Sequence, residues 1–306
     1  MTATVLSRRT LIASLSACAV AGPAAAGEQP APAAAPAVTA DAGWSTASVP
    51  GWTRQAYEAA MAKSGRHVSL TDEQFGAIQA RRPAALRRIE GYLKDRLGHA
   101  DPAVMRAFAE VPREYFHYLY SEHRATPGEA YEENPKPWAL GYGSALSDYL
   151  GQAYMTQLCQ PKPGDATLEI GTGSGFQSAI LSRIVGHARS IEIIAPLGHA
   201  VDKIWAPLGY TNVEGRVGDG YYGWPEATDG FDIIIVTCAA QYAPPDLFKQ
   251  LKPHGRMIIP IGQPFKRGQI LYVYWKDENG KIHSRRDVGV FFIPMTGAMM
   301  KIPQPT

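Results

Sequence analysis

Leu168-Glu169-Ile170-Gly171-Thr172-Gly173-Ser174-Gly175-Phe176-Gln177 decides the reading of this 306-residue chain. A short apolar run ends in glycines at alternate positions, and a helical stretch from Gln177 to Val185 follows. Without a Cβ, glycine lets the backbone bend sharply and come close to a ligand. A dinucleotide fingerprint, G-x-G-x-x-G, would need a third glycine at 176, where Phe176 stands. Working outward, the β-rich runs Thr167–Ile170, Ser190–Ile194, Val213–Val217, Phe231–Thr237 and Arg256–Ile261 alternate with helical stretches. That alternation predicts an α/β fold built on a doubly wound, mostly parallel sheet. The run after Asp232 is continuously apolar, as a strand covered on both faces requires. Asn279-Gly280 lies between Leu271–Trp275 and Ile282–Val290, which predicts a C-terminal antiparallel hairpin.

The spacing G-x-G-x-G with Glu169 two residues ahead resembles the first motif of S-adenosyl-L-methionine-dependent methyltransferases. Such a turn receives an amino-acid carboxylate and a sulfonium rather than a pyrophosphate. Glu192 follows 23 residues after Glu169, at the end of the second strand, where an acid bonds ribose hydroxyls. Asp219, in Gly218-Asp219-Gly220, ends the third strand, where methyltransferases typically bond the adenine amino group. The candidate cofactor-binding residues are therefore Glu169, Gly171, Gly173, Gly175, Glu192, Asp219 and Gly220, and the cofactor implied is S-adenosyl-L-methionine. Singly, each is an ordinary turn residue. Three motifs in order at successive strand ends point to a nucleoside, because ligands bind at strand carboxyl ends.

Further blocks narrow the resemblance. Val111-Pro112-Arg113-Glu114-Tyr115-Phe116 is similar to the V-P-R-E-x-F segment of protein-L-isoaspartate O-methyltransferases. Leu168–Gln177, Gly218–Pro225, Leu251–Arg256 and Phe292–Thr296 resemble the later blocks of that family, so the likeness spans roughly residues 85 to 297. The resemblance implies a Rossmann-like methyltransferase fold and methyl transfer to the free α-carboxylate of isoaspartyl residues in damaged proteins. The ester then collapses to a succinimide, which can hydrolyse to normal aspartate. The family signature G-Q-T-I-S-x-P aligns with Gly143-Ser144-Ala145-Leu146-Ser147-Asp148-Tyr149, so Ser147 stands at the family's active-site serine. Gln, Thr and Pro of that pattern are replaced by Ser144, Ala145 and Tyr149, and losing Pro removes a φ constraint. Asp148 places a carboxylate beside an anionic acceptor, which should raise the acceptor's energy. Backbone groups near Ile293 to Met295 would assist Ser147, as the resemblance implies. The alternative for Ser147 is a helix N-cap with Asp148 in the first turn. Cys238 reads as a small buried residue, whereas Trp224 and Tyr242 fit either an adenine border or ordinary packing. Two other functions stay open on this altered loop: a methyltransferase for another carboxylate acceptor, and a non-catalytic S-adenosylmethionine-binding relative.

Residues 1–26 carry Arg8-Arg9, an apolar run from Leu11 to Val20 and the small residues Ala24, Ala25 and Ala26, the layout of an export signal. Ser7-Arg8-Arg9-Thr10-Leu11 resembles the twin-arginine signal, which implies a folded, periplasmic product. Leu15-Ser16-Ala17-Cys18 also resembles a lipoprotein box, so a lipid anchor on Cys18 and a cytoplasmic chain are the alternatives. Residues 27–48, rich in Ala and Pro, read as a linker. Residues 49–306 read as the methyltransferase domain that the resemblance implies, opening with a helical region over 49–130. In that region Thr71 with Gln74 makes a capping-box start, Leu86, Ile89, Leu93 and Leu97 repeat at helical spacing, and Asp101-Pro102 opens another helix.

Basic residues exceed acidic ones by 30 to 28, and without Arg8 and Arg9 the mature balance is neutral. That balance gives no electrostatic reason to expect nucleic acid or an anionic membrane as partner. Three cysteines, no C-x-x-C and no H-E-x-x-H leave no metal expected. The partner expected is a protein or peptide bearing isoaspartyl residues.

Overall fold

A computed structural model of the chain describes residues 44–46 and 49–304. The export signal read over 1–26, Cys18 and most of the linker lie outside the described residues. Trp44, at the far end of that linker, packs against the core.

The front of the domain carries α1 (Arg54–Lys63), α2 (Asp72–Leu97) and α3 (Pro102–Glu110). Thr71 and Gln74 form a reciprocal capping box. Thr71 Oγ1 accepts from the Gln74 amide at 3.1 Å, and the Thr71 amide donates to Gln74 Oε1 at 2.9 Å. Leu86, Ile89 and Leu93 point inward from α2, and Asp101 caps α3, whose buried face carries Val104, Met105 and Phe108. The α-helical run ends at Glu110 rather than near residue 130. Pro112, Pro127, Pro135 and Pro137 have no N–H to continue a helix. The chain there makes 3₁₀ turns and two short hairpins, β1 (Tyr118–Leu119) with β2 (Arg124–Ala125) and β3 (Trp138–Gly141) with β4 (Ser144–Leu146). Helix α4 (Tyr149–Cys159) follows.

A seven-stranded sheet then forms the body. Its strands are β5 (Ala166–Ile170), β6 (His187–Glu192), β7 (Val213–Val217), β8 (Phe231–Val236), β9 (Leu251–Ile261), β10 (Gln269–Lys276) and β11 (Ile282–Val290), in spatial order β11-β10-β9-β8-β5-β6-β7. The pairs from β9 through β8, β5 and β6 to β7 are parallel, and β10 pairs antiparallel with both β9 and β11. Helices α5 (Phe176–Ser182), α6 (Ala195–Val201) and α7 (Pro245–Gln250) lie between the strands in sequence. The sheet is covered on both faces, as the apolar run of β8 requires. Ile233 and Ile235 belong to one core cluster, while Ile234 and Val236 belong to the other. Fully burying one such side chain contributes about 2 kcal/mol, so a polar residue at any of the four would be costly.

The order of the strands sets where a ligand can sit. From β5 the chain winds outward through β6 to β7, then returns to the opposite side of β5 to lay down β8. The reversal leaves a crevice at the carboxyl ends of β5 and β8, the usual ligand position in an open α/β sheet. Because β11 runs antiparallel to β10, which runs antiparallel to β9, the end of β11 reaches the same edge.

Candidate active site

Beyond β5 the turn adopts left-handed backbone at Gly171 (φ 98°), Gly173 (φ 54°) and Gly175 (φ 79°), which L side chains rarely tolerate. The three glycines have different surroundings. Gly171 and Gly173 line a cavity of about 410 Å³ at the crevice. Gly175 does not. A Cβ there would lie 2.8 Å from Val201 Cγ1 and 2.9 Å from Ile204 Cδ1, and the Gly175 carbonyl accepts from Trp205 Nε1 at 2.9 Å. It is a close-packing residue under the turn, set against Val201, Ile204 and Trp205 rather than on the cavity wall.

The strand-end acids converge on the same cavity. Glu192 is buried, with Oε2 accepting from the Gly173 amide at 2.9 Å and Oε1 from the Ile194 amide at 3.0 Å. Burial pushes its carboxyl above the ordinary range. Asp219 Oδ1 accepts from the Tyr221 amide at 3.0 Å, and Oδ2 accepts from the Ala298 amide at 2.7 Å. Asp219 thus ties the C-terminal turn to the end of β7, and Gly220 lies beside it on the cavity wall. Glu169 sits deeper, 1% exposed. Its Oε2 accepts from the hydroxyls of Ser178 and, at 2.9 Å, Ser190, while Ser190 also meets Thr172 Oγ1 at 2.7 Å. Desolvation pushes the Glu169 carboxyl up to about 8, opposed by those hydroxyl donors. This hydroxyl network escapes a motif reading, because its members come from β5, the glycine turn, α5 and β6.

Ser147 faces the cavity from the other side, together with Ser144, Ala145, Leu146 and Asp148. It is not a helix N-cap: Asp148 takes that role in α4, its Oδ1 accepting from the Gly151 amide at 2.8 Å. The Asp148 charge is therefore partly met by the helix N-terminus. The Ser147 carbonyl accepts from Arg113 Nη2 at 2.6 Å, and Arg113 Nη1 donates to Gln152 Oε1 at 2.6 Å. Ile293, Pro294 and Met295 complete the wall. Two of their backbone groups are already bonded, since the Ala239 amide donates to the Ile293 carbonyl at 2.8 Å and the Met295 amide to the Ala239 carbonyl at 2.8 Å. The segment is a bridge laid beside the end of β8.

Cys238 lines the cavity, and burial pushes its thiol well above the usual range. Trp224 and Tyr242 are buried in the core and absent from the cavity wall. Trp224 lies under the Arg189 and Arg216 guanidinium groups, and Tyr242 bonds the Ile302 carbonyl at 2.9 Å. Among the described residues no group of His, Cys, Asp and Glu is placed to hold a metal ion, and no helix is long and apolar enough to cross a membrane.

Comparison with known proteins agrees with this geometry. The family model for protein-L-isoaspartate(D-aspartate) O-methyltransferase matches residues 89–300. A protein-L-isoaspartate O-methyltransferase 2 from Syntrophobacter fumaroxidans is 42% identical over 236 residues, which cover 76% of this chain and 92% of its own length. A protein-L-isoaspartate O-methyltransferase 1 from Nitrosospira multiformis is 48% identical over 168 residues, 55% of this chain and 70% of its own. A solved protein-L-isoaspartate O-methyltransferase superposes with a TM-score of 0.60 at 28% identity, covering 70% of this chain and 67% of that one. A structure from Plasmodium falciparum assigned to the same activity, in complex with S-adenosyl-L-homocysteine, shares the fold with a TM-score of 0.56 at 21% identity, over 69% of this chain and 98% of that one. The matched region runs through the Ser147 segment, the glycine turn and both strand-end acids, and this chain belongs to the protein-L-isoaspartate O-methyltransferase family.

Proposed function

We propose that this chain transfers a methyl group from S-adenosyl-L-methionine to the α-carboxylate of isoaspartyl residues in damaged protein, using Glu192, Asp219 and the Gly171–Gly173 turn on one side and Ser147 on the other. One observation carries the reading: the strand-end acids and the Ser147 segment line a single cavity. Its volume of about 410 Å³ falls within the range of small-molecule sites. The donor set fits a nucleoside. Each Glu192 oxygen accepts one amide and keeps a lone pair for a ribose hydroxyl, and Ile191 and Ile193 offer apolar surface for a flat base.

The cofactor supplies a methyl group on a positively charged sulfur that leaves as a neutral thioether. The acceptor carboxylate is already nucleophilic, so the chain has no proton to move and its task is alignment. Glu192 and Asp219 hold the nucleoside end, and the glycine turn receives the amino-acid end. Ser147 donates its hydroxyl to the acceptor carboxylate, fixing one oxygen in line with the methyl carbon. Leu146, Ile293, Pro294 and Met295 shield the reacting atoms from water.

Labelled methyl transfer to paired peptides that differ only in isoaspartyl against aspartyl linkage tests this reading. Incorporation into the isoaspartyl peptide alone supports it, and no incorporation into either sinks it. Labelling of an unrelated carboxylate with none on the isoaspartyl peptide would favour another acceptor, the reading that Ser144, Ala145 and Tyr149 motivate.

Residues 1–26 support export through the twin-arginine route, which carries folded proteins. A folded chain could leave with one cofactor bound, enough for a single turnover. Fractionation of cells expressing the chain and its Arg8→Lys, Arg9→Lys variant checks this. Periplasmic product that disappears in the variant is expected, and cytoplasmic product from both would overturn it.

A further inference from the structure

Arg113 is 3% exposed, yet it forms no ion pair among the described residues. Its guanidinium donates to two neutral acceptors, the Ser147 carbonyl and Gln152 Oε1, each at 2.6 Å, and its Nε is buried without a partner. The same guanidinium lies 4.8 Å from the centre of the Phe176 ring, the first residue of α5 after the glycine turn, and 5.7 Å from that of Tyr149. The charged and titratable groups around it are Asp148, Tyr131, Tyr149, Glu132 and His117. Burial lowers the Arg113 guanidinium to about 10, with Asp148 the largest opposing influence, so it stays charged at neutral pH.

A buried, unpaired cation is costly and persists where something completes it. Ser147 and Gln152, its two hydrogen-bond partners, both line the cavity. The expected acceptor there is an anion.

We propose that Arg113 is a positioning residue for methyl transfer: it fixes Ser147 through its carbonyl and supplies, from behind the cavity wall, the positive field that offsets Asp148 and favours a carboxylate over a neutral acceptor. This rests on the acceptor position assigned to Ser147 above. Asp148 and Arg113 then act in opposition on the incoming anion. Substituting Asn at 148 preserves the helix cap, because Asn caps as well as Asp.

The test is equilibrium binding of an isoaspartyl peptide and its neutral analogue, the matching α-carboxamide peptide, to the protein loaded with S-adenosylhomocysteine. The wild-type chain is expected to prefer the acid by about tenfold, the scale of one charge acting across a partly polar interior. Arg113→Met should bring that ratio close to one, Arg113→Lys should retain most of it while lowering kcat, and Asp148→Asn should raise it. S-adenosylhomocysteine affinity serves as the folding control. A wild-type ratio near one, or a ratio unchanged in Arg113→Met, overturns the proposal. Should Arg113→Met fail to fold, Asp148→Asn decides, and an unchanged or lowered ratio overturns it. Preference for the acid without methyl transfer would remove the proposed function and leave Arg113 only as the source of carboxylate selectivity in the cavity. Methyl transfer without the preference would do the reverse.

Discussion

Glu192 Oε2 accepts from the Gly173 amide at 2.9 Å, so the acid at the end of β6 and the turn after β5 hold each other across neighbouring strands. Its other oxygen takes the Ile194 amide at 3.0 Å. Glu192→Gln turns one of these acceptors into an N–H donor facing an N–H. The expected cost is about 1–3 kcal/mol in the ligand-free protein, read by chemical denaturation. Unchanged stability would mean that the glycine turn does not depend on this acid.

Glu169 gives a pH dependence with a definite sign. Its carboxyl is pushed from an ordinary 4.5 up to about 8 by burial. In the unfolded chain it ionises near 4.5 while the folded protein keeps the proton, so its contribution is fully present below pH 4.5. That contribution drains away as pH rises toward 8, above which the deficit is constant. Glu169→Gln should therefore be near neutral at pH 4.5 and stabilising at pH 8 and above, by on the order of a few kcal/mol. Denaturation midpoints across that range check it, and a wild-type–variant difference that does not change with pH contradicts it.

Gly175→Ala should cost stability through crowding. The new methyl would meet Val201, Ile204 and the Trp205 indole nitrogen at 2.8, 2.9 and 3.0 Å, on a backbone at φ 79°. Left-handed strain and overpacking together predict a loss of about 2–4 kcal/mol, visible as a lowered Tm. Because Gly175 does not line the cavity, S-adenosylhomocysteine affinity of the folded fraction should change little. A large affinity loss at unchanged Tm would reverse that assignment.

Ser147→Ala removes the hydroxyl proposed to hold the acceptor carboxylate. A lost hydrogen bond to a charged group predicts a fall in kcat/KM of about 10- to 100-fold. Cofactor affinity should be preserved, since Ser147 lies on the acceptor side. Steady-state methylation of an isoaspartyl peptide provides the measurement, and full activity in the variant would show that Ser147 has no part in transfer.

The fold was legible because its signals are local. Four apolar residues in a row at Ile233–Val236 need cover on two faces, and the two core clusters divide them as the alternation of a strand requires. The turn was legible for a related reason: left-handed backbone at Gly171 and Gly173 makes glycine visible as a letter. What a glycine touches is not visible in that way, and Gly175, identical in sequence, faces Trp205 instead of the cavity. Partnerships across distant segments were hidden as well. Ser178 and Ser190 share Glu169 only because α5 and β6 fold beside β5, and the Ile293–Met295 backbone is occupied because Ala239 lies next to it. Arg113 could be placed in a family block by its neighbours, but nothing in that block says where the guanidinium points. Past Glu110 the helical reading failed where prolines, rather than apolar periodicity, set the path of the chain.

Titration calorimetry with S-adenosylhomocysteine probes the nucleoside cavity most directly. The purified, folded protein should take up one equivalent per chain, and Glu192→Ala should weaken that uptake by at least about tenfold, the value of one charge-assisted hydrogen bond. Absence of heat and of any ligand-induced rise in Tm, in protein shown to be folded, would contradict the cavity's assignment as a cofactor site.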